Sequence, residues 1–269
     1  MHILDQFFVN LDGVGAGADN ITLGAGKFGI AYFGTDGASP TNPAFPAYTK
    51  PGSRINADWS GVQVNEGGKL RVVGTFTNGN FDGGTNGFGL TVEHKQDLLS
   101  IGGANNLWLQ YAQGSAGMNG NFGNLTAESG AQAYRIVDSV TWQSGPFGGQ
   151  AVALYGHKDR DGTTVSFDEL SVGGRGSYAM TKNFKFIGEA GYMQKSPDSQ
   201  STQKLAKLTL AAALSTGPGF WNRPELRLYV TTAKWNDAAN AAAGSNGLTG
   251  LGNGNTSGTS YGAQVEIWF

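Results

Sequence analysis

Apolar and polar residues alternate with a period of two along most of this sequence, in runs separated by clusters of Gly, Asn, Asp and Pro. In one such run Leu226, Leu228 and Val230 share one face, while Glu225 and Arg227 share the other. Successive side chains of a β-strand point to opposite faces of the sheet, so this period indicates strands. The pattern predicts an all-β protein.

Thirteen segments of this kind follow one another, and we predict a strand for each. Several exceed the five or six residues common in globular sheets and suit membrane crossings of about 9–11 residues with projecting ends. The predicted strands cover residues 2–10, 20–35, 53–65, 69–80, 86–97, 105–115, 132–144, 149–160, 165–180, 184–196, 202–216, 224–237 and 259–269.

The connections between these strands are sorted by length. The three longest, residues 36–52, 116–131 and 238–258, are the second, sixth and twelfth connections, whereas most odd-numbered ones are compact. In an up-and-down antiparallel order all even-numbered connections lie at one end, and long loops opposite short turns are typical of outer-membrane barrels. The sequence therefore predicts a single domain over residues 1–269, a transmembrane antiparallel up-and-down β-barrel with its apolar face toward lipid. A soluble jelly roll or β-helix stays open, since alternation alone does not say which face is buried.

Composition excludes several other classes of protein. Charged residues make up 14% of the chain and the formal net charge is −2, so we expect no nucleic-acid partner. The absence of Cys excludes disulfides and thiolate zinc sites. No stretch approaches the roughly 18 consecutive apolar residues of a membrane-spanning helix, and no secretory signal is visible at the N-terminus.

Motifs that could indicate an enzyme lack the required context. A GxGxxG pattern over residues 24–29 lies within a strand pattern rather than before a helix. His2, His94 and His157 lack metal-ligand spacing, and Asp159 and Asp161 are interpreted as charges at a loop end. We expect no catalytic residue, no metal ion and no cofactor.

Three C-terminal segments together resemble one known family. They are FWNRPELR at residues 220–227, AKWND at 233–237 and YGAQVEIWF at 261–269. HILDQFF at residues 2–8, GVGAG at 13–17, VEH at 92–94 and QYA at 110–112 fall in register with them. The combination resembles the maltoporins, sugar-specific porins of the Gram-negative outer membrane, along the whole chain.

The resemblance implies a passive channel for maltose- or maltodextrin-like sugars. Maltoporins are eighteen-stranded barrels, and the likeness begins in the sixth strand, so we expect the chain to lack about the first third of the family pattern. The alternatives are a truncated or engineered β-barrel fragment without transport activity and a soluble carbohydrate-binding protein. Oligosaccharides, membrane lipid and lipopolysaccharide are the implied partners, together with a homotrimer if the missing strands are not needed for that contact.

The resemblance also implies a sugar path along the lumen. Aromatic side chains in maltoporins stack on sugar rings, and Trp268 and Trp221 match two of those positions by motif. Asp5 matches an acid that hydrogen-bonds sugar, and Phe7 stands where the family has a Tyr. A further aromatic of the family is replaced here by Ala104.

Overall fold

The computed structural model describes residues 7–10, 14–36, 51–162, 164–252 and 254–267. These residues form fourteen strands, one short α-helix, α1 (Asp237–Ala242), and a 3-10 turn at Leu99–Ile101. Within the described ranges, no helix is long and apolar enough to cross a bilayer. The strands are β1 (Phe7–Asn10), β2 (Val14–Leu23), β3 (Gly26–Asp36), β4 (Pro51–Asn65), β5 (Gly68–Gly79), β6 (Asn86–Leu98), β7 (Gly103–Gly114), β8 (Gln132–Ser144), β9 (Phe147–Lys158), β10 (Phe167–Ala179), β11 (Phe184–Pro197), β12 (Gln203–Ser215), β13 (Glu225–Trp235) and β14 (Ser257–Glu266).

The strands follow one another in the sheet in the order of the sequence, from β1 to β14. Neighbouring strands are antiparallel, as in the pairing of Gly188 with Leu210 across β11 and β12 and of Arg227 with Gln264 across β13 and β14. This is the up-and-down order that the sequence predicts, and the all-β antiparallel fold is confirmed.

The prediction of one strand over residues 20–35 is wrong, because this stretch is part of a hairpin. β2 ends at Leu23 and β3 begins at Gly26, and between them Gly24 has a φ of 59°. Glycine adopts this left-handed conformation without a Cβ penalty, which permits the tight turn. Alternation on both sides of the turn conceals it in the sequence. The described strands therefore number fourteen rather than thirteen, and the odd count expected from the sequence is wrong with it.

The sorting of connections by length is confirmed with its numbering shifted by one. The connections of residues 115–131 and 236–256 are now the seventh and thirteenth, which an up-and-down order puts at one end of the strands. The third long connection of the prediction falls on residues 37–50, which lie outside the described residues. The opposite end carries the two-residue turns after β2, β4 and β8. We call it the short-turn end.

The two faces of the sheet have the reverse of a soluble protein's exposure. On β13, Leu228 is 62% exposed, whereas Arg227 is 5% and Glu225 only 1% exposed. The pattern continues on β5, where Phe76 is 60% exposed and its neighbour Thr77 is buried. We call these the apolar face and the polar face. An exposed apolar face is stable against hydrocarbon rather than water.

The chain divides into two compact units. Unit 1 comprises Met1–Gln96, Leu107–Ile136 and Gly156–Ser166, and unit 2 comprises Asp97–Asn106, Val137–Tyr155 and Phe167–Phe269. The prediction of a single domain over residues 1–269 stays a prediction.

The orientation of the faces predicts how an added charge changes stability. Val230 lies in the middle of β13 on the apolar face, and Ser260 on neighbouring β14 lies on the polar face. We expect Val230→Arg to lower the free energy of unfolding in lipid vesicles by about 2–4 kcal/mol, since the guanidinium would enter hydrocarbon. Denaturant titration followed by Trp fluorescence measures this. The control Ser260→Arg should lose less than half as much, and equal losses would contradict the assignment of the faces.

Candidate functional site

The long loop of residues 115–131, between β7 and β8, folds onto the polar face of unit 1. Asn56 Nδ2 on β4 donates to the backbone carbonyl oxygen of Gly120 (2.8 Å). Gln110 Nε2 donates to Asn119 Oδ1 (2.7 Å), and Arg135 Nη2 donates to the same oxygen (3.0 Å). Side chains from β4, β7 and β8 thus hold one short stretch of the loop.

The base of the loop approaches the backbone of β6 closely. Ser115 is fully buried, and its Oγ lies 2.8 Å from Thr77 Oγ1. A Cβ built on Gly87 would lie 2.2 Å from Ala116 N, which is too close for any side chain. Gly87 is therefore required where β6 meets the loop.

An arginine between two aromatic rings fixes the middle of the loop. Arg54 on β4 is buried, with its Cζ 4.2 Å from the ring centroid of Phe33 and 5.1 Å from that of Phe122. A guanidinium over an aromatic face is attracted by the ring quadrupole, and the attraction strengthens when water is excluded. Phe122, itself 4% exposed, anchors the loop to the wall of the sheet.

A cavity of about 370 Å³ lies between this loop and the polar face of unit 1. One indole, two carboxylates, one guanidinium and three carboxamides contribute to its lining, beside small and apolar side chains. These groups belong to Trp108, Asp58, Glu93, Arg71, Asn56, Gln110 and Asn119.

The charges in this cavity are partly neutralised. Arg71 Nε donates to both oxygens of Asp58, at 3.1 and 2.9 Å, while Glu93 Oε2 is 3.8 Å from Arg71 Nη1. The side chains of Asp58 and Glu93 remain 31% and 22% exposed. Their oxygens can therefore accept hydrogen bonds from a ligand.

The polar face of unit 2 carries a row of ion pairs across three strands. Arg175 Nη2 on β10 is 2.7 Å from Glu189 Oε2 on β11, and Lys207 Nζ on β12 is 3.0 Å from Glu189 Oε1. A smaller cavity of about 170 Å³ borders these three residues together with Tyr229 and Gln264.

A second ionic cluster lies nearer the short-turn end of unit 2 and is almost completely buried. Lys185 Nζ is 2.5 Å from Glu225 Oε2, and Arg227 Nε is 2.5 Å from Glu225 Oε1. Glu266 pairs with both Arg227 and Arg223. Buried charges require compensation of this kind, because removal of one partner leaves the others desolvated without a counterion.

The connection of residues 216–224, between β12 and β13, folds against this cluster. Lys185 Nζ donates to the carbonyl oxygen of Gly219 (3.0 Å), and the backbone N–H of Phe220 donates to Gln143 Oε1 (2.7 Å). Phe220 is buried, and its ring makes an edge-to-face contact with Trp221 at 4.8 Å between centroids.

The sites predicted from sequence are described only in part. Trp221 is half-exposed beside Phe220 in the connection of residues 216–224. Asp5 and Trp268 lie outside the described residues, and for Phe7 the structure describes only the backbone, in β1. Their roles in a sugar path stay predictions.

The sequence did not predict the residues around the cavity of about 370 Å³ in unit 1. Asp58, Arg71 and Glu93 belong to three different strands and meet only because of their register, in which Asp58 pairs with Val73 and Arg71 with Glu93. Alternation could have assigned them to the polar face. It could not have placed Asn119 in the lining of the same cavity, because that position depends on how the loop folds.

Asp159 and Asp161 lie at one end of the loop between β9 and β10, as the sequence predicts. Asp159 Oδ2 accepts a hydrogen bond from the backbone N–H of Gln132 (2.9 Å), and its Oδ1 lies 3.1 Å from His157 Nε2. These bonds to the ionised form hold the pKa of Asp159 below its usual value. Asp161 Oδ1 accepts from Asn124 Nδ2 (2.6 Å) and so ties this segment to the loop of residues 115–131.

The anchoring role of Phe122 predicts how the loop responds to its removal. We expect Phe122→Ala to lower the hydrogen-exchange protection of loop amides such as Gly117 and Gly123, because the cation–π contact and the buried ring are both lost. Hydrogen exchange detected by mass spectrometry measures this. Leu251→Ala, at a residue 78% exposed, is the control and should leave these amides unchanged. Unchanged protection in Phe122→Ala would contradict the anchor.

The burial of the second ionic cluster of unit 2 predicts that Glu→Gln lowers stability more there than in the exposed row. We expect Glu225→Gln to lower the free energy of unfolding by about 3–5 kcal/mol, because buried cations lose their counterion. Glu189→Gln, in the more exposed row, should cost about 1 kcal/mol or less. Denaturant titration in lipid vesicles compares the two, and similar losses would contradict the stabilising role of the buried cluster.

Comparison with known proteins identifies the family. The sequence pattern of the LamB porins matches residues 1–269. Among solved structures, the outer-membrane expressed OmpT of Vibrio cholerae is similar with a TM-score of 0.43 and 9% identity, covering 83% of this chain and 78% of that one. A loop L8 deletion mutant of the same protein covers 93% and 89%, with a TM-score of 0.41 and 9% identity. The chain belongs to the LamB porin family, the channel proteins of the Gram-negative outer membrane.

Proposed function

We propose that this porin conducts sugars passively, with selectivity for neutral oligosaccharides of the maltodextrin type. The observation that carries the proposal is the cavity of about 370 Å³ on the polar face of unit 1, where Trp108 is accompanied by hydrogen-bonding side chains. A pyranose has faces rich in C–H groups and edges rich in hydroxyls. A flat indole beside carboxylates and carboxamides complements both.

The chemistry of the cavity suits transit rather than tight retention. Asp58 and Glu93 accept hydrogen bonds from hydroxyls, Gln110 and Asn119 both donate and accept, and Arg71 donates. Sugar hydroxyls exchange these bonds with water at small net gain. Conduction needs binding that is favourable enough to enter and weak enough to leave.

The proposal extends to the predicted aromatic path. Trp221 and Trp268 would stack on successive sugar rings, Asp5 would accept from hydroxyls, and Phe7 would narrow the throat without a hydroxyl of its own. The row of Arg175, Glu189 and Lys207 supplies further polar contacts in unit 2. Homotrimeric assembly and contacts with lipopolysaccharide remain expectations from the maltoporin resemblance.

The test is conductance of the refolded chain in planar bilayers, with maltodextrins of increasing length as blockers. We expect Trp108→Ala to raise the half-blocking concentration about tenfold, which corresponds to about 1.4 kcal/mol of lost stacking. Trp59→Ala is the matched control: Trp59 lies next to Asp58 on β4 and so on the opposite, apolar face. It should leave blocking unchanged.

Three outcomes separate the alternatives. Channels that maltodextrins never block would refute sugar selectivity while leaving a general porin. Absence of any channel from folded protein would favour a fragment without transport activity. Equal effects of Trp108→Ala and Trp59→Ala would refute the assignment of the site to this cavity.

A further inference from the structure

The apolar face of unit 2 carries a groove with two paired glycines in its floor. Gly176 on β10 pairs directly with Gly188 on β11. A Cβ added to Gly188 would meet only Leu210 Cδ2, at 4.0 Å, and one added to Gly176 would meet the Phe147 ring at 3.5 Å. The groove has a volume of about 950 Å³, and its apolar walls are formed by Phe147, Tyr178, Phe186, Leu210, Leu228, Val230 and Tyr261.

This groove continues the lipid-facing surface. Its floor glycines have the same strand parity as Val172 and Tyr178 on β10 and Phe186 on β11, which are exposed apolar side chains. Side chains of the walls point into the bilayer, and Phe186 is 52% exposed. Because the chain is an outer-membrane porin, hydrocarbon covers this face, and a concave site within it must be filled.

The position of the groove along the strands selects one leaflet. Gly176 lies three residues before the end of β10, and Gly188 lies four residues after the start of β11. At about 3.4 Å per residue, the floor is roughly 10–14 Å or less from the short-turn end. Half of a hydrocarbon core of about 30 Å is about 15 Å, so the floor of the groove lies within one leaflet. Short turns of outer-membrane barrels face the periplasm, where the leaflet consists of phospholipid.

A cation lies in a turn at the short-turn end of the strands that form the floor, at the level where a headgroup would lie. Lys182 is exposed in the turn that joins β10 to β11, directly after the strand that carries Gly176. A lysine at the interface extends its ammonium toward the headgroups, where lipid phosphate is anionic. The apolar floor and walls suit an acyl chain, and the lysine suits a phosphate. Together they match one phospholipid.

We propose that this groove binds an acyl chain of a phospholipid from the periplasmic leaflet, with its phosphate at Lys182. Lipid tails are as apolar as leucine, so association within the bilayer depends on packing rather than on the hydrophobic effect. A single acyl chain fits against the glycine floor. Acyl chains that passed over the groove without entering it would leave a void and lose van der Waals contacts. The proposal does not depend on which solute crosses the channel.

Photolabelling tests the site directly. The folded chain is reconstituted in vesicles of phosphatidylethanolamine that contain a small fraction of the same lipid with a diazirine on its acyl chain. We expect labels to concentrate on peptides containing residues 176–188, 210 and 228. Gly188→Leu should lower this labelling about tenfold, because the new side chain occupies the volume of the acyl chain.

A glycine elsewhere on the apolar face provides the matched control. Gly74 on β5 has nothing within 4 Å of an added Cβ, so Gly74→Leu makes the same change outside the groove. It should leave labelling of the groove peptides unchanged. Denaturant titration checks that both variants fold. Uniform labelling of all apolar strands, or equal labelling in wild type and Gly188→Leu, would overturn the proposal.

Two further arms distinguish the occupants. Lys182→Gln should lower groove labelling, and purified lipopolysaccharide should not displace the probe; displacement would overturn the leaflet assignment. The chain contains no Cys, so Gly188→Cys introduces a single thiol. Oxidation of membranes carrying this variant should produce no disulfide cross-link, and a disulfide-linked dimer would mean that a second copy covers the groove.

Discussion

Hydrocarbon offers no partner to a peptide N–H or C=O group, so a chain in a bilayer must satisfy its backbone internally. This porin does so through consecutive antiparallel pairing from β1 to β14. With the backbone occupied, only the side chains differ between the two faces. The apolar side chains can then contact lipid, and polar side chains can gather on the other face. Arg227 and Leu228 are adjacent in sequence, yet one is buried among charges and the other is open to the membrane.

The same constraint explains what the sequence could predict. Strict alternation at Glu225, Leu226, Arg227 and Leu228 predicts both the strand and the partition of its faces, and both are found. The turn at Gly24 escaped prediction because apolar residues alternate through the hairpin on either side of it. A strand can be recognised from the residues within it. A two-residue turn inside a continuous alternating pattern changes the composition too little to be recognised.

The candidate site depends on information that no local pattern holds. Trp108 can be assigned to the polar face by its parity with Gln110, but the cavity around it exists only because the loop of residues 115–131 folds back. That fold rests on contacts between residues far apart in the chain, such as Asn56 with Gly120 and Arg54 with Phe122. The maltoporin resemblance supplied the function class, and the geometry supplied residues that the motifs did not contain.

Glycine links these features, because the absence of a side chain has opposite consequences on the two faces. On the polar face, Gly87 lets the loop of residues 115–131 approach β6, and a Cβ on Gly148 would lie 2.7 Å from Phe220 Cβ in the connection of residues 216–224. There, atoms of a neighbouring connection occupy the space that a side chain would take. On the apolar face, no described segment of unit 2 covers Gly176 and Gly188, and they leave a groove instead. A membrane protein can keep such a groove only where another molecule fills it, and the surrounding lipid is present at high concentration wherever the protein resides.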